Sequence, residues 1–160
     1  MFRKISLFLC SFLVVFSLTA GDGATPKEIV AKVNEAAKLV ETKGVEAATK
    51  IFNDKKGGFV WKDTYIFMLK MDGVTLAHPE KPALIGKNLI QFKDIKGTAL
   101  GAVLISAAKK NTWAEYYWPK PGGKDPVIKA SYCVEVKGKN VMVGAGVYDI
   151  TAKDAEAKSK

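Results

Sequence analysis

From Thr25 onward the apolar positions fall into two rhythms. Apolar or small residues first recur at Ile29, Val33, Ala36, Val40, Gly44, Ala47 and Ile51, always three or four apart. That spacing draws one face of an α-helix. Its start is marked three times over. Thr25 is a capping residue, Pro26 suits the first helical position, and Glu28 completes a capping box. Unbroken, such a helix is roughly 40 Å long at about 1.5 Å per residue. Gly44 is the place where it bends or is interrupted. The stripe fits a face docked on a sheet better than a seam for a partner helix.

After Asn53 to Gly58 the rhythm changes to that of strands. Tyr65 to Leu69 is an apolar, aromatic-rich run, Asp72-Gly73 supplies turn residues that tolerate positive φ, and Val74 to Ala77 runs back. His78-Pro79 ends this hairpin, because proline has no N–H to continue the ladder. Pro82 to Lys96 is expected as a loop crossing one sheet face, and Thr98 to Lys110 as a second amphipathic helix with Leu100, Val103, Leu104 and Ala107 inward. Strand patterns follow at Trp113 to Trp118, Val127 to Val136 and Val141 to Val147. Short connections between consecutive strands imply antiparallel pairing. The expected fold class is therefore α+β: a five-stranded antiparallel sheet, the long N-terminal helix on one face, and a short helix with its loop on the other. Residues 25–150 form one domain. The charged tail from Thr151 to Lys160 is expected to be loose.

The first twenty residues stand apart. Arg3 and Lys4 precede the apolar run Ile5 to Leu18, and small residues lead to Ala20. Residues 1–20 are read as a secretory signal peptide, with an uncleaved membrane anchor as the alternative. Cys10 lies inside the apolar run and is a poor lipoprotein cysteine. Cleavage would leave Cys133 alone, which excludes an intramolecular disulfide and a cysteine-based metal site. The alternating residues around Cys133 suit a packed strand thiol. The net charge is +9, two of it from Arg3 and Lys4. The remaining lysines are spread along the chain as solvated positions, and no nucleic-acid motif accompanies them. Export points to the periplasm.

Catalysis has little support. The single histidine is joined by no nucleophile elbow, phosphate-cradling glycine loop or metal-ligand cluster. Asp72-Gly73 is a turn, and no spaced carboxylates suggest calcium. No cofactor and no metal are expected.

The hairpin and later strands also carry a family likeness. Trp61-x-x-x-Tyr65, Met71-Asp72-Gly73, Ala77-His78-Pro79 and Gly86-Lys87-Asn88-Leu89 come in order. Asp94-x-x-Gly97, Tyr117-Trp118-Pro119-Lys120-Pro121, Lys129-Ala130-Ser131-Tyr132 and Val143-Gly144-Ala145-Gly146-Val147-Tyr148 follow them. This pattern resembles the extracytoplasmic single Cache domain, over nearly all of the chain from Pro26 to Tyr148. The resemblance implies a PAS-like sheet behind a long N-terminal helix. It implies a small-molecule sensing role in signal transduction or chemotaxis, with a membrane receptor or sensor kinase as partner. With no second span or signalling module after Tyr148, a free periplasmic form that binds its ligand and presents or sequesters it is expected, monomeric or weakly dimeric.

Short organic acids are the ligands this resemblance favours, and the residue types agree. A carboxylate needs fixed donors in a half-apolar pocket. His78, Lys129, Tyr65 and Tyr116 are donors, with Lys129 or a protonated His78 giving charge-assisted bonds. Trp61 and Trp118 would wall in a short alkyl chain. Strand alternation puts Tyr116 with Trp118 and Lys129 with Ser131, and turns Tyr117 and Tyr132 the other way. The plain alternatives are a turn histidine, a solvated edge lysine and core tryptophans. A ligand-free interaction module of the cell envelope is the second functional reading, and an enzyme the third.

Overall fold

The computed structural model describes residues 23–160. The expected signal peptide and Cys10 lie outside the described residues. Thr25 caps α1 (Pro26–Lys43) as the sequence predicts: its hydroxyl accepts the Glu28 N–H, and the Glu28 carboxylate accepts the Thr25 N–H at 2.7 Å. The long helix does not continue to Ile51. Gly44 sits at φ +81°, a conformation that strains any residue with a side chain, and a separate helix α2 (Val45–Asn53) starts beyond it.

Seven strands follow in two sheets. The short pair β1 (Val60–Trp61) and β2 (Thr64–Tyr65) forms a small antiparallel hairpin that periodicity does not reveal, because Tyr65 runs on into the apolar pattern of the next strand. The main sheet comprises β3 (Phe67–Lys70), β4 (Thr75–Ala77), β5 (Thr112–Pro119), β6 (Pro126–Val136) and β7 (Val141–Tyr148). Its order is β4-β3-β7-β6-β5, antiparallel throughout. All five predicted strands are present, and β7 and β6 lie in the interior of the sheet.

Helices cover both faces. On one, Ile29, Val33, Ala36 and Val40 of α1 pack on Val143, Ala145 and Val147 of β7 and Ala130 of β6. On the other, α3 (Leu100–Ala108) sets Leu100, Leu104 and Ala107 against Tyr116, Trp118, Cys133 and Met142. Between Pro82 and Ala99 a 3-10 turn at Pro82–Leu84 and two isolated bridges shape the crossing segment. Asp94 fixes its far end, accepting the backbone N–H groups of Lys96, Thr98 and Tyr117, each at 2.8 Å.

The tail is not loose. Thr151 caps α4 (Ala152–Ser159), its hydroxyl accepting the Asp154 N–H, and Ala155 is fully buried beside α1. The Ala152 N–H is tied to the Glu115 carboxylate of β5 at 2.8 Å. Among the described residues no helix is long and apolar enough to cross a membrane.

Candidate functional site

Period-two alternation collects the chemistry on the α3 side of the sheet. Lys129 of β6 pairs with Tyr116 of β5 on one flank and Tyr148 of β7 on the other. An interior strand with both faces covered leaves its side chain no route to water, and Lys129 is 0 % exposed. The plain alternative of a solvated edge lysine therefore fails on topology. Glycines at 144 and 146 leave this face of β7 without side chains between Met142 and Tyr148. A Cβ at Gly146 would lie 2.8 Å from Lys129 Cε, and one at Gly144 would lie 2.6 Å from Phe67 Cζ. The stem of Lys129 occupies the space that Gly146 vacates.

The ammonium of Lys129 lies among aromatic rings, 4.5 Å from the centroid of Tyr65, 4.8 Å from Tyr148 and 5.8 Å from Phe67. Ring faces offset part of the cost of burying a cation. Its one side-chain hydrogen bond among the described residues runs to the Tyr65 hydroxyl at 3.4 Å, and no carboxylate pairs with it. Burial holds its pKa down to about 7.

Tyr65 is the hub. Trp118 Nε1 donates to its oxygen at 3.1 Å, and His78 Nε2 lies 3.3 Å away. His78 is held from both sides. Its N–H donates to Asn53 Oδ1 at 3.0 Å, and its Nδ1 accepts the Lys81 N–H at 3.0 Å. That second bond assigns the proton of the neutral ring to Nε2, facing Tyr65. Burial, followed by the charge of Lys129, pushes the His78 pKa down to about 3. The protonated His78 considered above is thereby corrected: the ring is a neutral N–H donor. Burial also raises the phenol pKa values of Tyr65, Tyr116 and Tyr148, so all three keep their protons.

Three N–H donors thus converge on one phenol oxygen, which has two lone pairs and a proton of its own. The Tyr148 hydroxyl is buried with no partner among the described residues. Tyr116 is spoken for by Ser131 Oγ at 3.0 Å. Donors therefore outnumber acceptors. Beside them is a small cleft lined by Tyr65, His78, Tyr116 and Trp118, with Phe67, Leu69, Leu89, Leu100 and Leu104 as its apolar wall. Its volume is about 20 Å³, room for about one or two water molecules.

Of the six residues expected at the site, Tyr65, His78, Tyr116, Trp118 and Lys129 come together. Trp61 does not. It pairs with Thr64 while Val60 pairs with Tyr65, so alternation sends Trp61 to the α1-side core. Tyr132 likewise packs on Trp113 on that side, with ring centroids 5.5 Å apart. Sequence reasoning missed Tyr148 and Asn53. For Tyr148 a signal existed: it shares a β7 face with Gly144 and Gly146. For Asn53 there was none, because its role depends on where α2 meets β4. Cys133 is buried against the α3-side core, as a packed thiol.

Comparison with known proteins agrees with the fold. The family model for single Cache domain 2 matches residues 25–159, and the chain belongs to that family. The methyl-accepting chemotaxis protein McpP of Pseudomonas putida is 31% identical over 97 residues, covering 58% of this chain and 18% of McpP. The sensor histidine kinase MctS of Rhizobium johnstonii is 33% identical over 101 residues, covering 61% of this chain and 22% of MctS. The chain thus spans about a fifth of the length of these curated relatives. A methyl-accepting chemotaxis protein from Vibrio parahaemolyticus superposes with a TM-score of 0.66 at 27% identity, over 76% of this chain and 86% of that one. A Cache chemosensory domain solved for carboxylic acid recognition shares the fold, with a TM-score of 0.60 at 24% identity over 75% of this chain and 85% of that one.

Proposed function

We propose that this single Cache domain is a periplasmic sensor or binding domain for short organic acids, serving signal transduction or chemotaxis through a receptor or kinase rather than catalysis. The observation that carries the reading is the surplus of buried donors around Tyr65. Lys129 is a fully buried cation without an acid, and His78 and Trp118 aim N–H groups at the same oxygen. A carboxylate brings two acceptor oxygens and the missing negative charge, which is what these groups lack. The leucine wall suits a short alkyl end, and the small cleft favours acids of few carbons.

Thermal unfolding in the presence of acetate, propionate, pyruvate and lactate tests the reading. A ligand that binds the folded form raises Tm by linkage. One or more acids should do so, and Lys129→Met or His78→Ala should abolish the rise while the domain still unfolds cooperatively. A flat response to the whole panel defeats the proposal and favours a ligand-free interaction module. Turnover of an acid in the same samples would favour an enzyme.

A further inference from the structure

A second cavity adjoins the donor cleft. It shares Tyr65 and Trp118 with the inner cleft and is completed by Glu80, Lys81 and the β5–β6 loop from Pro119 to Lys124. Its volume is about 330 Å³, far more than the inner cleft offers. Its chemistry differs too. Where the inner wall is leucine and phenylalanine, the outer one carries three lysines. Lys81 Nζ sits 4.7 Å from the centre of the Trp118 ring and has no ion-pair partner among the described residues. Lys124 is exposed at the loop tip and equally unpaired. The opposing charges are already engaged: Glu80 is bound to Lys55 at 3.0 Å, and Lys120 to Asp149.

We infer that this vestibule is a second anion subsite, so that the domain prefers dicarboxylates over monocarboxylates of similar length. The inference rests on the proposed function and extends it to ligand class. One carboxylate fills the donor cluster at Tyr65, His78 and Lys129. Any ligand longer than the inner cleft extends past the indole of Trp118, where the ammonium groups of Lys81 and Lys124 share the wall with Pro119 and Pro121. An alkyl tail can pack on the indole and the prolines there but leaves both ammonium groups unpaired. A second carboxylate gains two cations without an acid of their own, in a half-enclosed space where charge is less screened than on open surface. Glu80 also lines this space, and its bond to Lys55 blunts its repulsion.

The test is calorimetric titration of the purified protein with acetate, propionate, malonate and succinate, repeated on Lys81→Gln, Lys124→Gln and the double variant. The Lys81 backbone bond to His78 survives either substitution. A dicarboxylate is expected to bind about tenfold tighter than propionate, the size of one charge-assisted contact. The double variant should erase that advantage and shift acetate affinity less than about twofold. The inference is overturned if monocarboxylates bind as tightly as dicarboxylates, or if the preference survives in the double variant. Acetate binding without a dicarboxylate preference defeats this inference alone. Binding of none of the four acids, and of neither pyruvate nor lactate, defeats the proposed function with it.

Discussion

Gly146 and Lys129 occupy one site between them: a Cβ on the glycine would stand 2.8 Å from the lysine Cε and 2.4 Å from Ser131 Oγ. The glycine on β7 is what lets an interior strand carry a full-length lysine inward. Gly146→Ala is therefore expected to destabilise the domain by about 1–3 kcal/mol, the usual cost of overpacking. It should also weaken acid binding, because the ammonium is pushed off Tyr65. Thermal unfolding with and without acetate reads both effects. An alanine variant that unfolds and binds as the parent does would show that Lys129 reaches its place without this relief.

The lowered pKa of Lys129 makes two pH effects opposite in sign. Burial takes the amine from its ordinary 10.5 to about 7 in the folded protein. Between those values the unfolded chain holds the extra proton, so the stability of the ligand-free protein rises as pH goes from about 7 towards 10.5. Ligand affinity moves the other way, since a carboxylate attracts only the protonated amine. With half-titration near pH 7, affinity should fall about tenfold from pH 6 to pH 8. Binding at pH 8 should take up a proton, visible as a dependence of calorimetric heat on buffer ionisation. Lys129→Met should flatten the stability profile. His78 adds nothing to the affinity change, because in the folded protein it stays neutral down to about pH 3, and its own contribution to stability rises with pH mainly between about 3 and 6.5.

What was legible in the chain was what local rules control. The capping box at Thr25 and Glu28, the five strands and the alternation that pairs Tyr116 with Trp118 need only short-range patterns. The same alternation correctly turned Tyr132 away from Lys129. Trp61 was misplaced because its strand belongs to a small separate hairpin, whose register with Thr64 is not written in periodicity. The tail was misread because one buried alanine, Ala155, is too little apolar pattern to announce a helix. The Thr151–Asp154 cap was its only local sign. The burial of Lys129 follows from sheet order, which no single strand encodes.

Asn53 joins the end of α2 to the strand end that carries His78. Its Oδ1 accepts the His78 N–H at 3.0 Å, and its Nδ2 donates to the Leu76 carbonyl at 3.1 Å. Asn53→Ala leaves a partly buried N–H and C=O without partners, which costs about 1–3 kcal/mol. We expect a lower Tm and a weaker stabilisation by acids than in the parent. Asn53→Asp keeps the acceptor for His78 and loses only the bond to Leu76, so it should retain more of the acid response than alanine. Equal responses from the two variants would separate Asn53 from the positioning of the imidazole.

Tyr65→Phe removes a single oxygen and leaves the ring that faces Lys129. In the parent, that oxygen is the shared acceptor for Trp118 Nε1 and Lys129 Nζ, with His78 Nε2 at 3.3 Å. Without it Trp118 Nε1 and Lys129 Nζ lose the acceptor they share, and Tyr116 and Tyr148 hold the hydroxyls that remain nearby. The loss of stability should be about 1–3 kcal/mol, and the Lys129 amine should lose its proton more readily than before. A bound carboxylate returns acceptors to the same groups. The variant should therefore be stabilised by acetate at least as strongly as the parent, measured at pH 6 where the amine remains largely charged. If acetate stabilisation vanishes instead, the phenol itself holds the ligand, and the donors around it serve to orient Tyr65 rather than to meet the acid.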